Sequence, residues 1–227
     1  MNTPVPHSNL LPHMLESGVH FGHQTRYWNP KMKPFIYGKR SNIYLLDILQ
    51  TVQSLNELQK TLRTRNPHAS LLVVGTTKQA RTVVELLQPK YPFAYVTSKW
   101  LGGLLTNWVT MQSCIQRLAQ LEKMTQDSTI SKKQLSKLKK NQDRLETFFG
   151  GVKHLKKCPD YMIILNQPNE LIAVKESNTL KIPNITVLDT NCNPDLATFK
   201  IPGNDDSIRS LYFLLRTMLQ AFFMPAP

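Results

Sequence analysis

Two histidines at H-x-x-H spacing, His20 and His23, stand in the stretch GVHFGHQTRYWNPKMKP, residues 18–34. Such a pair can hold two positions of a metal, and an imidazole beside a carboxylate can move a proton. A metal needs one or two further ligands. The stretch has no Cys, and Glu16 is the one carboxylate close to it in sequence. Neither a metal centre nor a catalytic histidine is therefore expected. Arg26, Tyr27, Trp28, Lys31 and Lys33 suggest another chemistry. Aromatic and guanidinium planes stack on unpaired bases, and lysines reach phosphates. An irregular loop with Trp28 packed on a sheet and its cations outward accounts for the same residues. The two readings are compatible.

Two turns resemble nucleotide sites. VVGTTKQA follows a strand pattern and opens a helix, where a phosphate could meet the helix N-terminus. Neither G-x-G-x-x-G nor G-x-x-x-x-G-K-[ST] is present. LDTNCNPD (188–195) sits at a strand end, where α/β sheets place ligands. Cys192 there has no histidine near it in sequence, so Asp189, Asn191, Asn193 and Pro194 read as turn chemistry. Cys114, Cys158 and Cys192 lie far apart without C-x-x-C spacing. They read as small buried residues of a reducing compartment rather than a disulfide framework.

The 227 residues carry a net charge of +13, unevenly spread. Residues 1–45 and 46–116 each hold +4, residues 117–157 hold +7, and residues 158–227 hold −2. A chain this basic faces a polyanion. No membrane-spanning run or basic amphipathic helix with an aromatic face stands out, and the N-terminal residues resemble neither a secretory signal nor a cleavable transit peptide.

Elements that could position these groups follow from periodicity. A helix is expected over residues 9–17, capped by Ser8, and the opening stretch reads as a loop. FIYG (35–38) and NIYLLD (42–47) are short strands. Ile48, Val52, Leu55, Leu58 and Leu62 recur at helical spacing over residues 47–65. Then SLLVVG (70–75), FAYV (93–96), DYMIILN (160–166) and NITVLDT (184–190) read as strands, with helices at 77–88 and 169–180. A closing helix, capped by Asn204 or Asp205, covers residues 205–223. Apolar strands alternating with helices predict an α/β fold, a doubly wound parallel sheet. Residues 106–157 break the pattern with two successive helices. Met111, Ile115, Leu118 and Leu121 on the first face Leu135, Leu138, Leu145 and Phe149 on the second, with Gln142 in the remaining slot. This spacing predicts an inserted antiparallel coiled-coil hairpin. The domain division is thus residues 1–105 with 158–227, carrying the insertion 106–157. Lys132, Lys133, Lys137, Lys139, Lys140 and Arg144 then point outward from the second helix, as a solvated face or as phosphate contacts.

VHFGHQTRYWNPKMKPFIYG, VGTTKQA, KWLGGLLTNW, FFGGVKHL, PDYMIILNQPNELIAVKESNTLKIP and LDTNCNPDLATFKIPGNDDSIRS occur in this order. Together they resemble the small-subunit ribosomal protein number two family, in its bacterial and organellar branch, over about residues 10–218. The resemblance implies a Rossmann-like or flavodoxin-like domain with an inserted coiled coil. It implies a structural, non-enzymatic constituent of the small ribosomal subunit, without cofactor, metal or membrane. Its expected partners are small-subunit ribosomal RNA and neighbouring ribosomal proteins, not a second copy of itself. The candidate RNA-binding set comprises His20, His23, Arg26, Tyr27, Trp28, Lys31, Lys33, the six cations of the second helix, and Arg40, Lys99, Trp100, Asn107 and Lys153. Thr77, Lys99 and Asn166 stand where the family usually has Lys, Arg and an acid. Lys for Arg removes a planar fork. An organellar ribosome is expected, plastid before mitochondrion, with a bacterial cytoplasm as the alternative.

Overall fold

The computed structural model describes residues 10–125 and 132–224, and of Lys132 the backbone alone. The proposed cap Ser8 lies outside the described residues. The chain opens with helix α1 (Leu10–Ser17), then strand β1 (Phe21–Gln24), two 3-10 turns (Thr25–Tyr27 and Pro30–Phe35), and strands β2 (Ile36–Arg40) and β3 (Ile43–Leu46). The stretch expected to be a loop therefore contributes a strand. β1, β3 and β2 form a small antiparallel sheet in that order. Ser41 and Asn42 join β2 to β3 with φ of 48° and 62°, as a tight two-residue hairpin requires.

The remaining order is α2 (Ile48–Arg63), β4 (Leu71–Val74), α3 (Lys78–Leu87), β5 (Ala94–Val96), α4 (Trp108–Met124), α5 (Lys132–Phe149), β6 (Tyr161–Ile164), α6 (Leu171–Thr179), β7 (Asn184–Leu188), β8 (Phe199–Pro202) and α7 (Ile208–Phe223). Five strands form one sheet, ordered β5-β4-β6-β7-β8, and every pairing is parallel. Numbered among themselves, these strands run 2-1-3-4-5, with the order reversing between β4 and β6. β8 was not expected. It is a short edge strand ending in Pro202, which costs no ladder bond at an edge.

Alternation along each strand serves both faces. Leu71, Val73, Ile163, Ile185 and Ile201 enter a core with α1, α2, α3 and α7. Leu72, Val74, Val96 and Met162 enter a second core with Trp100, Leu118, Phe149 and Ala173. The base of the α4/α5 pair thus shares the second core with the sheet. α4 and α5 pack together, with Leu118, Leu121 and Phe149 buried and Met111, Ile115, Leu135, Leu138 and Leu145 half-buried. Gln142 fills its slot by accepting the Thr125 hydroxyl at 3.0 Å.

The start of α7 departs from expectation. Ser207 occupies the cap position without a side-chain bond. Asn204 Oδ1 accepts from the backbone N–H of Asp206 (2.8 Å) and Ser207 (3.0 Å), serving the preceding turn. Asp205 turns inward, where its Oδ2 accepts from the Asn166 amide at 2.9 Å.

Candidate nucleic-acid interface

The opening stretch is docked onto the carboxyl end of β7. His23 N–H donates to the Thr190 hydroxyl at 3.0 Å, and Asn29 N–H to the Thr190 carbonyl at 2.8 Å. Gly22 permits this approach, because a Cβ there would stand 2.5 Å from Thr190 Cγ2. Beneath it, Met32 and Leu46 are buried with Leu188 and Cys192. The 3-10 turn after Asn29 starts with Pro30, and Asn29 Oδ1 accepts from Lys31 N–H at 3.0 Å. Composition dictates this conformation: Asn caps it, Pro fixes its first residue, and Met32 anchors it.

This docking places the candidates of residues 18–34 differently. Lys33, Arg26 and Tyr27 are exposed, with the Arg26 guanidinium 4.6 Å from the Tyr27 ring centroid. Lys31 is exposed but pairs with Asp195. Trp28 is half-buried against Tyr44, ring centroids 5.2 Å apart. His20 is half-buried beside Phe21, and burial lowers its pKa, so it is neutral near pH 7.

His23 faces acids that sequence proximity did not reveal. Its Nδ1 lies 3.1 Å from Asp189 Oδ2 and its Nε2 3.4 Å from Asp206 Oδ2. The hydrogen bond to Asp189 raises its pKa to about 9, against the opposing effect of burial and with help from the charges of Asp189, Asp205 and Asp206. His23 is thus oriented by an acid far from it in sequence, contrary to expectation. Asp189, read as turn chemistry, is this histidine's partner, while Asn193 Oδ1 does make the expected turn, accepting Asp195 N–H at 3.1 Å.

On α5, Lys133, Lys137, Lys139, Lys140 and Arg144 are exposed, whereas the side chain of Lys132 lies outside the described residues. Lys153 is spent internally. Its ammonium is 3.4 Å from both Glu122 and Glu146, which overcome the cost of its burial and raise its pKa. Those two acids are consequently unavailable to neutralise the α5 cations. Arg40, at the β2–β3 turn, is exposed, as are Lys99 and Asn107.

Trp100 is buried, only 5% exposed, so its ring belongs to the core. Its indole N–H donates to Glu176 Oε1 at 3.1 Å. The same carboxylate accepts backbone N–H groups of Gly103 (2.8 Å), Leu105 (3.0 Å) and Thr106 (3.2 Å). Burial pushes the Glu176 carboxyl up, but these donors outweigh it and hold the pKa below the usual carboxylate value. Glu176 thus fixes the turn carrying Lys99 and Asn107 to α6. The sequence offered one signal for it, an acid on a helix face shared with Ala173 and Val174.

At the topological switch point an internal carboxylate meets the loop that leads into α3. Thr76 N–H, at the start of α3, donates to Glu170 Oε1 at 2.8 Å, so an internal carboxylate takes the place a phosphate would occupy. Burial raises the Glu170 pKa, the bonds from Thr76 opposing. Gly75 lets α3 pack closely on the end of β4: a Cβ there would lie 2.7 Å from Ala80 Cβ. Thr77 caps α3, accepting from Ala80 N–H at 3.3 Å. Cys114 and Cys158 are half-buried and Cys192 is buried, all as free thiols; burial raises the pKa of Cys158 and of Cys192.

A family model for ribosomal protein S2 matches residues 14–224. The chain belongs to that family. Small ribosomal subunit protein uS2c of Ostreococcus tauri is 45% identical over 91% of this chain and 92% of its own length. Small ribosomal subunit protein uS2 of a Nitratiruptor strain is 44% identical, covering 92% of this chain and 79% of the relative. The uS2 protein of Rippkaea orientalis is 40% identical, covering 94% and 81%. S2 membership agrees with a site built for holding rather than for chemistry: its buried acids face backbone N–H groups and a histidine, and its exposed groups are mostly cations.

Proposed function

We propose that this S2 protein binds small-subunit ribosomal RNA through two basic surfaces, the exposed side of α5 and the docked opening segment. As a member of the ribosomal protein S2 family it is a structural, non-enzymatic constituent of the small ribosomal subunit. The observation that carries the RNA assignment is the exposure of Lys133, Lys137, Lys139, Lys140 and Arg144 while Glu122 and Glu146 are held by Lys153. Asp143 is the one further acid on α5, so the face keeps a clear excess of positive charge, which phosphate contacts stabilise. Such contacts position a protein on RNA and do not read sequence. Arg26, Tyr27 and Lys33, with Arg40, Lys99 and Asn107, supply further exposed cations, a stacking ring and a polar group. His23 and Trp28 act by anchoring the opening segment, and Trp100 by anchoring its own turn. Residues 106–157 form the inserted coiled coil, and the acid-richer last third meets neighbouring ribosomal proteins rather than a second copy of this chain. No described helix is long and apolar enough to cross a membrane. The ribosome is that of a plastid, a reading supported by 45% identity along 92% of the Ostreococcus tauri uS2c protein.

Crosslinking within assembled small subunits tests the RNA assignment. Peptides spanning residues 133–144 and 26–40 should carry crosslinked nucleotides. Crosslinks confined to other ribosomal proteins at both segments would remove RNA from the account.

A further inference from the structure

The connections that lead into the parallel strands each carry a cation. Lys90 stands ahead of β5, Arg63 ends α2 ahead of β4, Lys156 precedes β6 and Lys181 precedes β7. These strands are neighbours in the order β5-β4-β6-β7, so the four connections lie side by side along the amino end of the sheet. Strands about 4.8 Å apart spread them over roughly 15 Å. All four side chains are exposed, and none pairs with an acid among the described residues. Two further cations of this rim are committed within the fold. Arg65 Nε donates to the Phe222 carbonyl at the end of α7 (3.0 Å), and the Lys157 ammonium lies 2.7 Å from Asp160 Oδ1. Asp160 is the one acid in these connections, and its other oxygen accepts the Ser70 N–H and hydroxyl, both at 2.8 Å. Acids gather instead at the carboxyl end, where Glu170, Asp189 and Asp205 follow β6, β7 and β8.

Lys181 adds a second observation. It stands just past α6 with φ of 55°. Its N–H donates to the Asn178 carbonyl at 3.2 Å, and Ile182 N–H to the Ser177 carbonyl at 2.9 Å. A helix exit of this kind favours Gly or Asn, because a side chain is strained there. A lysine bearing that strain presents an ammonium at the rim where glycine would hold the turn better.

We infer that Arg63, Lys90, Lys156 and Lys181 form a third RNA surface, which takes the phosphate backbone of a base-paired segment. The inference rests on the RNA-binding role proposed above. Aromatic rings at this rim face inward: Tyr91 and Phe93 are buried, and Phe223 stacks on Tyr91 with centroids 5.9 Å apart. The rim thus offers charge without a stacking ring, which suits paired RNA held by its phosphates rather than splayed bases. Lysine is depleted from protein–protein interfaces, so a lysine row favours phosphate over an acidic protein neighbour. The opening segment is docked at the opposite end of the same strands, so the sheet is held between two RNA segments.

The test crosslinks lysines of the wild-type chain in intact small subunits, using an amine-reactive, light-activated reagent, with nucleotide pairing read by chemical probing. Peptides bearing Lys90, Lys156 and Lys181 should carry paired nucleotides. Crosslinks from them only to other ribosomal proteins, only to unpaired nucleotides, or to nothing overturn the inference. The peptide spanning residues 133–144 in the same sample keeps the two readings apart. RNA there and none at the rim removes the rim alone, whereas RNA at neither removes both. Lys181→Gly gives an independent measure on the purified chain with a blunt RNA duplex of about 16 base pairs. It should unfold at the same or a higher temperature, while the slope of log affinity against log salt falls by about 0.7–0.9. An unchanged slope, whatever the stability, overturns the place of Lys181 on RNA.

Discussion

Glu176 Oε1 accepts the indole N–H of Trp100 at 3.1 Å, tying a helix on one side of the sheet to the turn that follows β5. The carboxylate also takes three backbone N–H groups of that turn, which have no other acceptor as good in a buried site. Glu176→Gln keeps the shape and loses the charge. It should cost about 2–3 kcal/mol near neutral pH, measured by urea denaturation. The pKa of Glu176 is lowered in the folded protein, so its contribution is complete above the unfolded carboxyl value, about 4.3–4.5, and is lost as pH falls through the folded value. The gap between wild type and Glu176→Gln should accordingly narrow below about pH 4.5. A gap independent of pH would mean that the ionised carboxylate is not what holds the turn.

Gly22 lies where β1 meets Thr190, and a Cβ would stand 2.5 Å from that side chain's methyl group. Gly22→Ala should cost about 1–3 kcal/mol. Hydrogen exchange is the sharper readout, because amides of residues 21–29 should lose protection while the parallel strands keep theirs. Uniform loss across the sheet would contradict local docking.

Lys153 and the α5 lysines are separable. Lys153→Met leaves Glu122 and Glu146 without their partner and should lower stability by about 1 kcal/mol, discounted for partial exposure. Its RNA affinity should keep the same salt dependence. Lys133, Lys137, Lys139 and Lys140 changed together to Gln should leave the thermal midpoint within a few degrees. The slope of log affinity against log salt should fall by about 0.7–0.9 for each phosphate contact removed. The opposite assignment of effects would place Lys153 on RNA and the α5 lysines in solvent.

The parallel strands were legible because strands covered on both faces are continuous apolar runs. SLLVVG and NITVLDT have no other economical reading. FKIP escaped because β8 is half-exposed, four residues long and ends in Pro202. β1 escaped because HFGH has no alternation; tertiary docking on Thr190 makes it a strand. The exposed cations of α5 could be placed from periodicity alone. The partners of His23 could not, since Asp189 and Asp205 reach it only after the opening segment folds over the sheet. Counting acids near a histidine in sequence measures the wrong neighbourhood. Trp100 beside Lys99 looked like an aromatic interleaved with a cation, but its indole N–H belongs to Glu176, whose place on the inward face of a nine-residue helix carries little periodic signal.

The switch point offers a fourth expectation. Because Glu170 already occupies the Thr76 N–H, the folded chain should bind neither ATP nor a dinucleotide at millimolar concentration, as judged by calorimetry. Glu170→Gln should be within about 1 kcal/mol of wild type or more stable, because burial raises the pKa of this carboxyl and the amide avoids that cost. A nucleotide that bound with loss of the Thr76–Glu170 bond would reopen an enzymatic reading.

Sedimentation tests the central claim most directly. A tagged copy of this chain, followed through a sucrose gradient of lysate with intact ribosomes, should co-migrate with the small subunit in about one copy per particle. It should stay there until high salt or magnesium depletion strips the particle. A chain that remains at the top of the gradient while small subunits stay intact would contradict its role as a structural constituent of that particle.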